Sequence, residues 1–182
     1  GINASVNMGD EVAMSSAPEF EVRAVGAFEQ KPGCPDYTYN ALTPERLENL
    51  CRGECYNPSD TRKLITRIEV IRILPQITPN EDISGLIQDP WKTFDCKADP
   101  DGCEVNFIDE EYPSLGRDAV YYVRAIESPS LAVNAENLRC EFDSEGNCKK
   151  VNLCYGDRRG DMNDDCLAVN EERAWSSPIF VD

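Results

Sequence analysis

The stretch Asp118-Ala119-Val120-Tyr121-Tyr122-Val123-Arg124-Ala125 decides how this chain folds. Ala119, Tyr121, Val123 and Ala125 alternate with Val120, Tyr122 and Arg124, and a two-residue period places each set on one face of a strand. The strand is expected over residues 119–126. Further out, Phe20, Val22 and Ala24 alternate with Glu19, Glu21 and Arg23 directly after Pro18, the pattern of a sheet with one wet face. Residues 64–74 form a longer β-branched run in which apolar parity shifts from Ile68 and Val70 to Ile71 and Ile73. That shift requires either cover on both faces or a bulge that re-aims the strand. Residues 103–108 and 175–181 are the remaining expected strands. Helix is scarce: the best segment is Thr43 to Leu50, with Thr43 as cap, Pro44 at the first helical position, and Leu47 and Leu50 on one face.

An all-β chain with this central motif points to a sandwich. In the late strand of an immunoglobulin-type domain an Asp precedes an alternating Ala/Tyr run, and a Tyr two residues before the inward core position closes a tyrosine corner. Tyr121 fits that Tyr, and Val123 stands where antibody domains place Cys. The expected architecture is an immunoglobulin-like or fibronectin-III-like two-sheet β-sandwich with long disulfide-stapled loops and one or two short helices. It is expected as a single domain over 1–182, with loop insertions at about 30–60 and 128–173. Phe20, Val22, Ile68, Val70, Tyr121, Val123 and Ile179 are its expected core, and Trp175 has a structural role in the last strand.

Charge and composition narrow the function. Against 34 Asp+Glu stand 18 Lys+Arg, a net charge of −16, which repels nucleic-acid phosphates and anionic membrane surfaces alike. No apolar run reaches the roughly 18 to 20 residues of a spanning helix, so no membrane insertion is expected. Gly1 is followed by no charged-then-apolar leader, and the expectation is a soluble segment processed or cut from a longer chain. The chain has no His. Imidazole-paired Ser or Cys nucleophiles, His-containing zinc sites and carboxylate/His di-metal centres therefore cannot be assembled from it. Catalytic residues are expected to be none.

The nine cysteines are Cys34, Cys51, Cys55, Cys96, Cys103, Cys140, Cys148, Cys154 and Cys166. No two are separated by two residues, which argues against zinc ribbons and redox-active dithiol turns. Cys96 and Cys103 flank Asp99-Pro100-Asp101-Gly102, and Cys140 and Cys148 flank Asp143-Ser144-Glu145-Gly146. Both are reverse-turn sequences, because Gly accepts positive φ and Pro presets the turn. Folding back there brings each pair within disulfide reach. Cys96–Cys103 and Cys140–Cys148 are the expected bridges, with Cys154–Cys166 closing the next loop. Cys34, Cys51 and Cys55 supply one more bridge and one leftover thiol, their pairing open. Disulfides place the chain in an oxidising compartment, periplasmic or extracellular.

Several constellations have competing readings. Asp157, Asp161, Asp164 and Asp165 surround Gly156 and Gly160, a set of hard oxygen ligands that suits calcium. The spacing lacks the EF-hand pattern, and a solvated acidic loop is the preferred reading. The run Asp109-Glu110-Glu111 is read, more strongly still, as a solvated acidic segment. Arg159-Gly160-Asp161 matches an adhesion tripeptide by letters alone. Tyr37, Tyr39, Tyr56, Tyr112 and Trp91 could line a carbohydrate-binding face, although packing is the commoner fate of such residues.

Four segments taken in order carry a family resemblance: Met8-Gly9-Asp10, then Ala17-Pro18-Glu19-Phe20-Glu21-Val22-Arg23-Ala24, then Tyr121-Tyr122-Val123-Arg124-Ala125, then Glu172-Arg173-Ala174-Trp175-Ser176-Ser177-Pro178-Ile179. The chain resembles the C-terminal portion of the bacterial domain-of-unknown-function family 3604. The resemblance implies an exported protein whose upstream part is a metal-dependent hydrolase similar to phosphoesterases of the polymerase-and-histidinol-phosphatase (PHP) type. Any divalent metal belongs to that upstream domain, whose His-containing motifs have no counterpart here. On this resemblance the chain is expected to be a non-catalytic accessory module with the upstream catalytic domain as its partner. The alternative is a stand-alone secreted carbohydrate- or calcium-binding domain.

Overall fold

The computed structural model describes residues 5–51, 55–133, 140–151 and 167–182. In chain order the first strands are β1 (Glu11–Val12), β2 (Glu19–Ala24), β3 (Phe28–Gln30), β4 (Pro58–Arg62), β5 (Ile65–Ile73), β6 (Ile87–Asp95) and β7 (Cys103–Ile108). Then come β8 (Ala119–Glu127), β9 (Ser130–Val133), β10 (Cys140–Phe142), β11 (Cys148–Val151), β12 (Leu167–Asn170), β13 (Arg173–Trp175) and β14 (Ile179–Val181). Three short helices interrupt them: α1 (Asp36–Ala41), α2 (Pro44–Cys51) and α3 (Tyr112–Leu115). The chain is all-β. It divides into two compact units, one of Gly1–Gly26, Leu64–Ser128 and Glu172–Asp182, the other of Ala27–Lys63 and Pro129–Glu171.

The first unit is built on a six-stranded sheet ordered β1-β14-β8-β5-β6, with β13 also pairing β8. All its pairings are antiparallel except β1 with β14. A second, two-stranded sheet pairs β2 with β7. The two share a core. Phe20 of β2 stacks on Phe107 of β7 at 4.9 Å and meets Tyr121 of β8 at 4.7 Å, while Val22, Ala24, Val105 and Cys103 pack with Ile65, Ile68, Val123 and Ala125. Each large apolar side chain removed from water there stabilises by about 1.5 to 3 kcal/mol. Of the expected core, Ile68, Val70 and Tyr121 are buried, whereas Phe20, Val22, Val123 and Ile179 are half-buried and packed against the clusters.

The parity shift at Val70–Ile71 is met by cover on both faces, and the register with β6 is irregular there, between Val70 and Arg72; a separate slip lies further upstream. Between Ile65 and Arg67 the register with β8 slips, turning Ile65 onto the face of Ile68. Val70 and Ile71, adjacent and therefore on opposite faces, are both fully buried. Strand β6 has no counterpart among the expected strands, because Asp89, Pro90, Lys92 and Asp95 make it polar; it lies at the sheet edge, where a proline costs no inward ladder bond. The expected strand over 175–181 is two: Ser176-Ser177-Pro178 separates β13 from β14, although Ser176 Oγ still accepts a bond from the Val123 amide. The Asp99–Gly102 turn forms as read, with Gly102 at φ +107° and the Cys96–Cys103 bridge joining β6 to β7, hence sheet to sheet.

The second unit consists of the two segments expected as insertions, and they carry strands of their own. The pairs are β3 with β4, β9 with β12, and β10 with β11. Helix α2 begins as expected, the Thr43 hydroxyl accepting from the Arg46 amide at 3.3 Å. Leu47 is buried, but Leu50, expected to share its face, is exposed. Cys34–Cys55 encloses both α1 and α2, and Cys140–Cys148 closes the β10–β11 hairpin around Asp143, whose carboxylate accepts from the amides of Glu145 and Asn147.

Candidate functional site

The most concentrated polar chemistry of the first unit lies inside it. Arg72, on β5, donates from Nη1 to Oδ2 of Asp109 at 2.7 Å, from Nη2 to Oε2 of Glu111 at 2.8 Å, and from Nε to Oε1 of Gln88 at 2.7 Å. Its guanidinium lies 4.4 Å from the centre of the Trp91 ring. The Tyr121 hydroxyl donates to the same Oδ2 of Asp109 at 2.6 Å, and the Glu111 amide donates to Oδ1 at 3.0 Å. Arg72 is 3% exposed and Asp109 0%. Local geometry explains the placement. Arg72 and Tyr121 are cross-strand partners on the inner face of β5 and β8, and Asp109 follows β7, its amide bonded to the Pro18 carbonyl.

The electrostatics follow from that enclosure. Burial pushes the Asp109 carboxyl upward, but the hydrogen bonds from Tyr121 and Arg72 outweigh it and hold the group below its ordinary range. Burial likewise opposes the Arg72 charge, and Asp109 and Glu111 more than restore it. Burial together with the bond to Asp109 drives the Tyr121 phenol far above its usual range. A phenol so held is no base, and both oxygens of Asp109 are engaged. This arrangement fastens β5, β6, β7 and β8 together rather than offering a group to a substrate.

That outcome corrects the reading of Asp109-Glu110-Glu111 as a solvated run. Glu110 is exposed, but Asp109 is the most enclosed carboxylate of the described chain and Glu111 reaches in to Arg72. The tyrosine corner differs as well: the Tyr121 hydroxyl bonds a side chain twelve residues upstream, where the corner motif uses backbone. Trp175, in β13 opposite Arg124, is 60% exposed. Among the aromatics, Tyr112 is buried and Trp91 half-buried, while Tyr37 and Tyr56, in the second unit, are each 72% exposed. Asp157, Asp161, Asp164 and Asp165, the tripeptide 159–161 and the Cys154–Cys166 bridge lie outside the described residues.

Within the second unit the open pairing resolves as Cys34–Cys55, Cα atoms 4.7 Å apart, leaving Cys51 as the free thiol among the described cysteines. Cys51 Sγ donates to the Leu47 carbonyl at 3.2 Å and stands 3.7 Å from Sγ of Cys55. All three sulfurs lie within 4.8 Å of one another. Sequence reasoning does not single this cluster out as a site; the spacing of Cys51 and Cys55, four residues apart across a helix end, is the one signal that could have raised it. No family model matches the chain, and no curated protein or solved structure matches it.

Proposed function

We propose that the chain is a non-catalytic accessory module of the periplasm or extracellular space, C-terminal to a PHP-like metal-dependent hydrolase domain that it packs on and whose access it shapes. Its first unit is read as an immunoglobulin-like β-sandwich, the six-stranded sheet facing the β2–β7 pair. The observation that carries this reading is the Arg72–Asp109–Tyr121 network: the strongest buried charges are consumed in joining strands. Connectivity adds to it. The second unit's segments interrupt the first between β2 and β5 and between β8 and β13, and Leu64, Ser128 and Glu172 meet at one sheet end, the Ser128 amide bonded to the Leu64 carbonyl and the Glu127 amide to that of Glu172. Three disulfides fit an oxidising compartment.

The test is a comparison of the isolated chain with the parent protein and with the parent lacking this segment. The expected result is a folded, inactive isolated chain and a parent that loses thermal stability or phosphoester turnover when the segment is removed. Turnover of a generic phosphoester by the isolated chain, or a parent with no hydrolase domain upstream, refutes the proposal. The exposure of Tyr37 and Tyr56 favours a second reading, a carbohydrate-binding module acting alone. Calorimetric titration with a glycan panel and with calcium separates the two, since only the second reading expects saturable heat, weakened by Tyr37→Ala and Tyr56→Ala.

A further inference from the structure

Cys51, at the end of α2, is not a solitary thiol. Its sulfur lies in van der Waals contact with a disulfide, 3.7 Å from Sγ of Cys55, and the Cys34 sulfur completes a cluster within 4.8 Å. Neighbouring hydrogen bonds hold the cluster's other members in place: the Cys55 amide donates to the Gly33 carbonyl at 3.3 Å, and the Cys34 amide to the Tyr39 hydroxyl at 3.4 Å. A thiolate attacks a disulfide along the line of the sulfur–sulfur bond. With a bond of about 2.0 Å, an in-line approach to Cys55 would set the Cys51 and Cys34 sulfurs farther apart than the 4.8 Å that contains all three. The thiol therefore sits beside the bond, resting on the Leu47 carbonyl, and an attack requires it to leave that carbonyl for the axis.

We propose that Cys34, Cys51 and Cys55 form a thiol–disulfide exchange centre in which Cys51 takes over the bond to Cys55 and releases Cys34. The Cys51 thiolate forms a bond to Sγ of Cys55, the Cys34–Cys55 bond breaks, and its electron pair leaves with Cys34, which takes up the proton that Cys51 gave up. One disulfide is exchanged for another, so no oxidant or reductant is consumed. The structural consequence is large for so local a step. The Cys34–Cys55 bridge spans 21 positions and ties the segment before α1 to the segment after α2, whereas a Cys51–Cys55 bridge closes four and leaves α1 untied. Released Cys34 is then the thiol able to attack a partner's disulfide, forming a mixed disulfide and releasing one of the partner's sulfurs as a thiol. The inference stands apart from the accessory-module proposal and does not depend on it.

The experiment is disulfide mapping of the whole chain. Protein incubated near pH 8.5 with and without a glutathione redox buffer is quenched in acid, alkylated with N-ethylmaleimide under denaturing conditions and digested without reduction. The expected result is label on Cys34 as well as Cys51, with a Cys51–Cys55 linked peptide beside the Cys34–Cys55 one. Cys51→Ser should lower Cys34 labelling in the absence of glutathione at least about tenfold, since the internal nucleophile is gone. Label confined to Cys51 under both conditions overturns the proposal, as does equal Cys34 labelling without glutathione in wild type and Cys51→Ser.

Discussion

Replacing Asp109 with Asn tests the assignment of the buried network as the fastener of the first unit. The substitution keeps the volume and removes the charge. In the native arrangement Oδ1 accepts from the Glu111 amide and Oδ2 from both Arg72 and Tyr121, so every neighbour is a donor. An amide offers an accepting oxygen and an NH₂ group that only donates, and in either orientation that NH₂ faces an N–H, of the Glu111 amide or of Arg72. Arg72, 3% exposed, then keeps only Glu111 to answer its charge, and the Glu111 side chain is 68% exposed. Breaking one side of a buried ion pair costs about 3 to 5 kcal/mol. For a unit near 100 residues, each kcal/mol moves the melting point by roughly 4 to 8 °C, so a fall of at least about 12 °C is expected. Both tryptophans, Trp91 and Trp175, belong to this unit, so fluorescence-monitored melting reports on it directly. Tyr121→Phe, which removes one donor and leaves the ion pair, should cost about 1.5 to 3 kcal/mol.

The pH dependence has a defined sign. The folded Asp109 carboxyl ionises below its unfolded value of about 3.9, so its contribution is fully present above that value and is lost as pH falls through the folded one. The difference in stability between wild type and Asp109→Asn should therefore be full near neutrality and narrow on acidification below about pH 4. A melting point for Asp109→Asn within about 2 °C of wild type at pH 7 would refute the reasoning, because no rearrangement of one amide can satisfy three donors.

Three further outcomes are expected. Val70→Asp should prevent folding by burying an unpaired charge at a fully enclosed position, whereas Val123→Asp, half-buried, should fold with a lowered melting point; circular dichroism distinguishes them, and the reverse order would mean that Val70 is not the more enclosed of the two. Replacing both Cys96 and Cys103 with Ala should lower stability by about 2 to 3 kcal/mol in urea titration, since the bridge closes a short loop and joins two sheets; an unchanged midpoint would show that the turn alone holds them. Gly102→Ala meets two penalties, a positive φ of +107° and a Cβ pressed into the Ala24 carbonyl oxygen, and should cost about 1 to 3 kcal/mol or more; a neutral result in the same titration would count against this turn geometry.

The sequence is most legible where one physical cause acts alone. Strands β2 and β7 occupy the expected residues because each alternates cleanly between a core face and a wetter one; β8 exceeds its expected span by one and ends enclosed on both faces, with Ala125, Ile126 and Glu127 all buried. Strand β6 is hidden in the sequence because an edge strand needs little apolar material, and nothing in Gln88-Asp89-Pro90 signals pairing. The Arg72–Asp109 contact is invisible there for a different reason. The partners are 37 residues apart, and Asp109 stands in a run of three acids that elsewhere would be wetted. Only the fold's return from β7 into β8 turns one of them inward. The cysteine bridges at 96–103 and 140–148 can be read because a turn sequence and two thiols state the same constraint, whereas choosing among Cys34, Cys51 and Cys55 requires the helices between them.

The two units differ in what holds them, and the difference accounts for where the sulfur lies. The first unit has two apolar clusters drawn from both its sheets, reinforced by an enclosed ion pair. In the second, among the described residues, the buried apolar side chains are Cys34 and Leu47, and one of these is itself a bridge partner. A segment that buries so little gains too little from the hydrophobic effect to offset the ordering of its backbone, and a covalent tie compensates by restricting the unfolded chain. The Cys34–Cys55 bridge is therefore a principal source of order for α1 and α2, and any reaction that relocates it acts on a segment that, among the described residues, buries little else to hold it. That is why the thiol of Cys51, resting against this bridge and not against the better-packed Cys96–Cys103, has structural leverage beyond its size.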